Sequence, residues 1–358
     1  MANKKIVFKD GTVFEGVNFG YDKEVVGQIE YNTSMFGYQQ IAGDPTNKDK
    51  IVVLTYPIIG NFGVNDEDSE YKKATVKAMI CHEYNDEPSN FRFTGTYHEY
   101  LEDSKVPLIS NVDTRAIITK INKEGNQVVC IANQDRPLEE CLSMIEEYQT
   151  NENPIAEVSF KKKAVLRSIG AKTNLVCLDL GTKSGLISKF NELKCNVTVV
   201  PYNTSAETIL SLNANGVLIS DGPDTEESLE VVLDTVKDLI GKTPIFATGL
   251  GALVVALASG CDVYKLKHGH HGANHPVKKL STGKIEITSQ NRNFAVCSES
   301  LEGTSLVMTH ENVLDHTLEG FMDKENKIVG VLYRPWDQTC DYSQYLFDEF
   351  YKSVKGVK

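Results

Sequence analysis

No stretch of this 358-residue chain stays apolar over the roughly 20 residues that a membrane-spanning helix needs. The opening residues, MANKKIVFKDGTVFEG, carry two lysines but no apolar core, so no secretory leader is expected. Excess positive charge is also missing: 37 Lys and Arg face 49 Asp and Glu, a net charge of −12. Binding to phosphate backbones needs a basic surface, so this balance argues against nucleic acid as the main partner. Eight cysteines lie at 81, 130, 141, 177, 195, 261, 297 and 340, and no two form a CxxC pair. Neither a zinc knuckle nor a disulfide framework is expected, and a cytoplasmic location with reduced thiols is. What is present is ordinary for a globular protein: 41% hydrophobic and 24% charged residues. The length predicts two domains.

The two halves read differently. Residues 1–150 mix short strands with turn signals. IVFKDGTVFEGVNFG alternates apolar and polar residues around Asp10-Gly11 and reads as a hairpin. QIEYNTS and KIVVLTYP read as further strands, and QDRPLEECLSMIEEYQ has helical spacing through Leu138, Cys141, Leu142 and Ile145. Residues 151–172, with a proline and the lysine run Lys161–Lys163, are expected to be a linker, and the lysine run reads as a solvated connector. From 173 to 358 the pattern becomes strand and helix in alternation: NLVCLDLG, SGLISKFNEL, NVTVVPYN, SAETILSLN, GVLISDGP, EESLEVVLDTVKDLIG, TPIFATGLG and GALVVALASG. Apolar strands at this spacing predict an α/β domain whose sheet is mainly parallel, doubly wound and covered on both faces. Sites in such sheets sit at the carboxyl ends of the strands, so Asp179–Gly181, Ser220–Pro223 and Ala247–Gly251 are expected to converge.

Several longer strings carry a resemblance. YNTSMFGYQQIAGDP (31–45), LTYPIIGNFGVND (54–66) and NVDTRA (111–116) resemble the small subunit of carbamoyl-phosphate synthetase. ALASGCDVYKLKHGHHGANHPV (256–277), SQNRNFAV (289–296) and LISDGP (218–223) resemble its class I, triad-type glutamine amidotransferase domain. The resemblance runs essentially end to end. It implies glutamine hydrolysis by a cysteine on a sharp strand-to-helix turn, activated by histidine and oriented by glutamate, with backbone N–H groups as oxyanion donors. The ammonia released passes to a separate large subunit, which holds ATP and bicarbonate.

This sequence departs from the family pattern where that chemistry lies. The elbow of the family reads Gly-x-Cys-Leu-Gly-His-Gln; here it reads Ala247-Thr248-Gly249-Leu250-Gly251-Ala252-Leu253. The nucleophile position is thus Gly249, and Leu253 replaces a substrate-holding glutamine. The family's Gly-His-Pro-Glu becomes Tyr333-Arg334-Pro335-Trp336, placing Arg334, which cannot accept a proton, at the base position and Trp336 at the carboxylate position. A Gly-Pro-Gly loop becomes Gly222-Pro223-Asp224, and a glycine of the substrate loop becomes Asn293. An acid at 224 would repel an oxyanion if it faced the site. Thr46, Gly222, Asp224, Leu250, Gly251, Leu253, Asn291, Asn293 and Phe294 mark the former glutamine pocket and oxyanion region. Loss of the nucleophile alone costs roughly a millionfold in turnover, so no useful glutaminase activity is expected.

Other groups are weighed in turn. Cys261 lies past the predicted helix and reads as packing; Cys340, six residues after Arg334, has no histidine placed to activate it. His268, His270, His271 and His275 have a spacing that suggests a metal site taken cold, but the string stands in a family loop without a metal, and no metal site is expected. Asp179 and Lys183 in LDLGTKSG fit neither nucleotide fingerprint, and Gly181 reads as a helix-start turn. Arg334 and Trp336 either plug the old cavity, with Arg334 paired to Asp224 or a neighbour, or bind a small acidic ligand. The resemblance therefore implies a noncatalytic small subunit serving the arginine or pyrimidine pathway. It would carry no cofactor itself, act as scaffold or regulator of an ammonia-using large subunit in a heterodimer or higher oligomer, and have neither nucleic acid nor a membrane as a partner. The alternative is a stand-alone pseudo-amidotransferase that binds a small acid.

Overall fold

The computed structural model describes residues 3–67, 71, 73–225, 229–336 and 343–355. The chain divides into two compact units, Met1–Asn151 and Glu152–Lys358. No helix among the described residues is long and apolar enough to cross a membrane.

The first unit is built on β1 (Asn3–Phe8), β2 (Val13–Gly20), β3 (Val25–Asn32), α1 (Tyr38–Ala42), β4 (Lys50–Leu54), β5 (Ile58–Ile59), β6 (Ala78–Ile80) and β7 (Glu83–Tyr84). It continues with α2 (Tyr97–Ser104), β8 (Pro107–Ser110), α3 (Thr114–Glu124), β9 (Val128–Asn133) and α4 (Leu138–Glu146). The hairpin expected at Asp10-Gly11 joins β1 to β2, with Gly11 at a φ of 83° that suits glycine. Strands β1-β2-β8-β6-β4-β3-β9 close into a barrel, which leaves no free sheet edge. Strand β4 is buried on both faces because all but its first residue are apolar. Ile51 and Val53 join one core cluster with Ile6, Ile29 and Ile131, while Val52 and Leu54 join another with Leu101 and Leu108. Helix α3 presents Ile117 and Ile121, four residues apart, to the first of these clusters. In α4, Cys141 and Ile145 are buried but Leu138 is exposed in the first turn.

The second unit begins with α5 (Pro154–Val158) and β10 (Ala164–Leu166), followed by β11 (Thr173–Asp179), α6 (Ser184–Glu192), β12 (Cys195–Pro201), α7 (Ala206–Ser211) and β13 (Gly216–Ile219). Then come α8 (Glu230–Leu239), β14 (Ile245–Thr248), α9 (Leu250–Ala258), β15 (Val263–Lys279), β16 (Ile285–Val296), β17 (Val307–Asn312), β18 (Leu318–Asp323), β19 (Ile328–Val331) and α10 (Gln344–Val354). Residues 152–172 of the segment expected to be a linker fall within this unit. β10 pairs antiparallel with β12, because Ala164–Leu166 is an apolar triplet that can extend the sheet. The sheet order is β10-β12-β11-β13-β14-β19-β18-β17-β15-β16. Its centre, from β12 to β19, is parallel, and antiparallel strands extend both edges. Leu175 and Cys177 of β11 face a cluster with Phe190 of α6 and Phe347 and Phe350 of α10. Val176 and Leu178 face the opposite cluster with Ile209, Val232 and Leu253. This double coverage explains the continuous apolar runs of these strands.

Candidate functional site

The carboxyl ends of β11, β13, β14 and β19 meet. The Leu180 amide donates to Ser220 Oγ at 2.9 Å, and the Gly251 amide to the Ser220 carbonyl at 3.1 Å. The Gly249 amide donates to the Val331 carbonyl at 2.9 Å. Asp179 braces the first of these loops: its Oδ1 accepts from the Gly181 and Thr182 amides at 3.0 and 2.6 Å, and its Oδ2 from the Phe160 amide at 2.6 Å. Within LDLGTKSG, residues 180–183 therefore form the turn between β11 and α6, held by Asp179.

Strand β14 passes into α9 through Gly249, whose φ of 52° and ψ of −121° form a sharp turn. A non-glycine residue would hold this conformation only at a cost of about 1–3 kcal/mol. The space beside it is occupied. A Cβ added at Gly249 would lie 2.0 Å from Asp221 Oδ1 and 2.3 Å from its Cγ. The Asp221 carboxylate thus stands where a side chain at 249 would go. Its Oδ1 accepts from the Gly222 amide at 2.9 Å and from the Leu250 amide, at the N-terminus of α9, at 3.1 Å. Two backbone N–H groups converging on one oxygen, one of them at a helix start, form an anion cradle. Here the cradle holds a carboxylate of the same chain.

Arg334, just past β19, points to the other oxygen: its Nε lies 3.2 Å from Asp221 Oδ2. Both side chains are buried, at 9% and 7% exposure. Asp221 thus engages the guanidinium within the fold. The Asp224 carboxylate accepts from the Asn293 amide. Trp336 lies against the start of α6, where a Cβ at Gly185 would meet its Cδ1 at 2.2 Å, and packs on the cluster around Phe190.

The remaining expected pocket residues are dispersed in role. Leu250 and Leu253 are buried in the apolar cluster on the α8 and α9 face. Gly251 lies so close to β13 that a Cβ would sit 2.4 Å from the Ile219 carbonyl oxygen. Asn291 and Asn293 flank one imidazole, with Oδ1 atoms 2.6 Å from His271 Nδ1 and 3.2 Å from His271 Nε2. Phe294 packs at the edge of the core with Lys265 Nζ 5.9 Å from its ring centre. Thr46 belongs to the first unit, where its hydroxyl and amide both donate to Asp44.

The histidine string serves a buried polar network. His270 Nε2 lies 2.7 Å from Asp315 Oδ2, and its Nδ1 lies 3.0 Å from Gln290 Oε1. Arg292 Nη2 contacts Glu319 Oε1 at 2.9 Å, and both residues are almost fully buried. Burial pulls the His270 pKa down, but its bonds to Asp315 and Glu319 outweigh this and leave it raised. Burial pushes the Glu319 carboxyl up, but the Arg292 charge and His270 hold it at about 2. His275 stacks on His270 with ring centres 5.1 Å apart, and burial lowers its pKa to about 4. Among the described residues, no three His, Cys, Asp or Glu side chains are grouped to hold a metal ion. Cys261 is buried, and burial raises its thiol pKa, which suits packing rather than nucleophilic attack. Cys340 lies outside the described residues.

Asp221 is the residue that reading the sequence missed. It stands inside LISDGP, a string that matches as a whole. Only the fold brings it to Gly249 and to Arg334, 113 positions away.

Residues 6–131 match the family described as carbamoyl-phosphate synthase small chain, CPSase domain, and residues 176–352 match glutamine amidotransferase class-I. A carbamoyl phosphate synthase small chain from Fusobacterium nucleatum is 39% identical over 99% of this chain and 99% of its own length. Small chains from Staphylococcus saprophyticus and Listeria monocytogenes are each 38% identical, over 100% and 99% of this chain and 98% of their own lengths. A solved glutamine amidotransferase from Thermotoga maritima matches with a TM-score of 0.40 and 12% identity, covering 51% of this chain and 97% of its own. This chain belongs to the carbamoyl-phosphate synthase small-chain family.

Proposed function

We infer that this protein is a carbamoyl-phosphate synthase small subunit that does not hydrolyse glutamine and acts as a scaffold or regulator of an ammonia-using large subunit. The observation that carries this reading is the Asp221 carboxylate in the space beside Gly249. A glutaminase needs a nucleophile in that space and an empty pair of N–H donors for the oxyanion. Here the nucleophile position has no side chain, and the Gly222 and Leu250 amides donate to Asp221 instead. Arg334 at the base position carries a guanidinium, which has no acceptor and cannot take up a proton. ATP and bicarbonate belong on the large subunit, and this chain needs no cofactor of its own.

The second reading, a stand-alone protein that binds a small acid through Arg334 and Trp336, is less favoured because Asp221 already engages the guanidinium and Trp336 packs on Gly185. These contacts favour a plugged cavity. Reconstitution with the large subunit tests the proposal: ammonia is expected to support carbamoyl phosphate synthesis and glutamine is not. Glutamine-dependent turnover near that of a triad enzyme would overturn it. Saturable quenching of Trp336 by a small carboxylate in the isolated chain would favour the second reading.

A further inference from the structure

A second feature, remote in sequence from the elbow, lies at the β10 edge of the sheet. In a chain of net charge −12, the segment 161–172 carries Lys161, Lys162, Lys163, Arg167 and Lys172 and no acid. All five are exposed, and no ion pair is present on Lys162, Lys163, Arg167 or Lys172 among the described residues. The buried cations Arg292 and Arg334 of the same unit are paired with carboxylates, whereas these five lie close together in sequence at the surface.

The segment also has a shape. Beside it lies an open cleft of about 460 Å³, walled by Lys163, Val165, Arg167, Asn174, Asn196 and Thr198. Val165 is paired with Thr198, and Asn174 with Asn196, so these side chains share one face of the sheet. Strand β10 ends the sheet order, so its outer backbone edge has no neighbouring strand among the described residues. Val165 and Leu166 are exposed at 50% and 40%. On an extended backbone, Lys163 and Arg167 project to the same side about 13 Å apart, with Val165 midway. That spacing is too wide for one phosphate group, but it fits two carboxylates four residues apart on an extended peptide.

We propose that β10 is a docking edge for an extended acidic peptide segment of another protein, with the pattern acid, any residue, apolar residue, any residue, acid. The peptide would add to the free edge as a further strand, which satisfies the open backbone groups. Its two carboxylates would meet Lys163 and Arg167, and its central apolar side chain would cover Val165. Lys161, Lys162 and Lys172 would speed association by long-range attraction that weakens with salt. Lysines on a free edge also serve to block edge-to-edge aggregation, and the experiment separates the two roles.

Fluorescence anisotropy of the full chain with a labelled Glu-Thr-Val-Thr-Glu peptide provides the test. Saturable binding is expected, weakened at least tenfold in Lys163→Glu/Arg167→Glu and weakened again by raised salt. A peptide N-methylated on alternate amides should bind at least tenfold more weakly, because one row of strand bonds is lost. Both substituted positions are exposed, so the variant keeps its fold, which circular dichroism verifies. No saturation at millimolar peptide would overturn the proposal. So would equal binding of Lys-Thr-Val-Thr-Lys, or full competition by inorganic pyrophosphate at equal concentration. Self-association of Lys162→Thr/Lys163→Thr without peptide binding by the parent chain would leave only the protective role.

Discussion

Replacing Asp221 by alanine removes one half of a buried ion pair and the acceptor for two backbone donors. Arg334 would be left 9% exposed with its Nε facing an empty space, and the Gly222 and Leu250 amides would lose their common partner. Breaking a buried pair from one side costs about 3–5 kcal/mol. Each orphaned amide adds about 1–3 kcal/mol unless water enters the space left by the carboxylate. With entry of water, the net expectation is a loss of about 3–5 kcal/mol in the second unit. At about 2–4 °C per kcal/mol for a domain of this size, the midpoint should fall by roughly 10 °C. Trp336 is the only tryptophan and lies in that unit, so its fluorescence in urea titrations reads the unit directly. A double-mutant cycle with Arg334→Met should give a coupling of at least about 1.5 kcal/mol. Formate or acetate should partly restore the stability of Asp221→Ala, because the cradle and the guanidinium would then accept an external carboxylate. The reasoning is refuted if Asp221→Ala loses less than about 1 kcal/mol, or if the two substitutions are additive.

Three further outcomes are expected. Gly249→Cys should show no glutaminase activity and should lower stability by at least about 1–3 kcal/mol, since its Cβ would lie 2.0 Å from Asp221 in a backbone conformation unfavourable to any side chain; measurable ammonia release from glutamine would contradict this. Gly185→Ala should destabilise the unit by about 1–3 kcal/mol and shift Trp336 emission to the red, because the new methyl group would lie 2.2 Å from the indole Cδ1 and displace the ring; an unchanged spectrum would count against the close packing of Trp336 on Gly185. His310 is buried against Tyr345 and Tyr333, and burial with the Lys279 charge lowers its pKa to about 4. A base whose folded pKa is depressed contributes stability that is complete above about 6.5 and falls as pH drops toward 4. Between pH 7.5 and 4.5, His310→Gln should therefore lose roughly 2–3 kcal/mol less than the parent in urea titrations. An equal loss in both would refute the assignment to His310. His275 acts in the same direction, and the raised pKa of His270 opposes both.

Much of the α/β core was legible because its strands, from NLVCLDLG to TPIFATGLG, are apolar on both faces, and its helices carry their own period and stop signals. The elbow was legible too, since the strand, the turn and the wholly apolar α9 are contiguous. The antiparallel extension β15 to β18 was not legible: its strands carry buried His270, Gln290, Arg292 and Glu319, which read as polar loops until their mutual hydrogen bonds are seen. The same cause hid Asp221. Its role depends on two backbone amides and on an arginine 113 positions away, and neither leaves a local pattern. The apolar triplet Ala164–Leu166 was hidden among lysines, so an edge strand looked like a connector.

The shared space of Gly249 and Asp221 links the substitutions that the two positions can accept. A variant with a side chain at 249 must move the carboxylate at 221. Withdrawing it alone removes the ion pair with Arg334, and adding the side chain alone collides with the carboxylate. Each single step toward a side chain at the elbow is therefore expected to lower stability. The two positions are coupled: a side chain at 249 fits only together with a change in the side chain at 221.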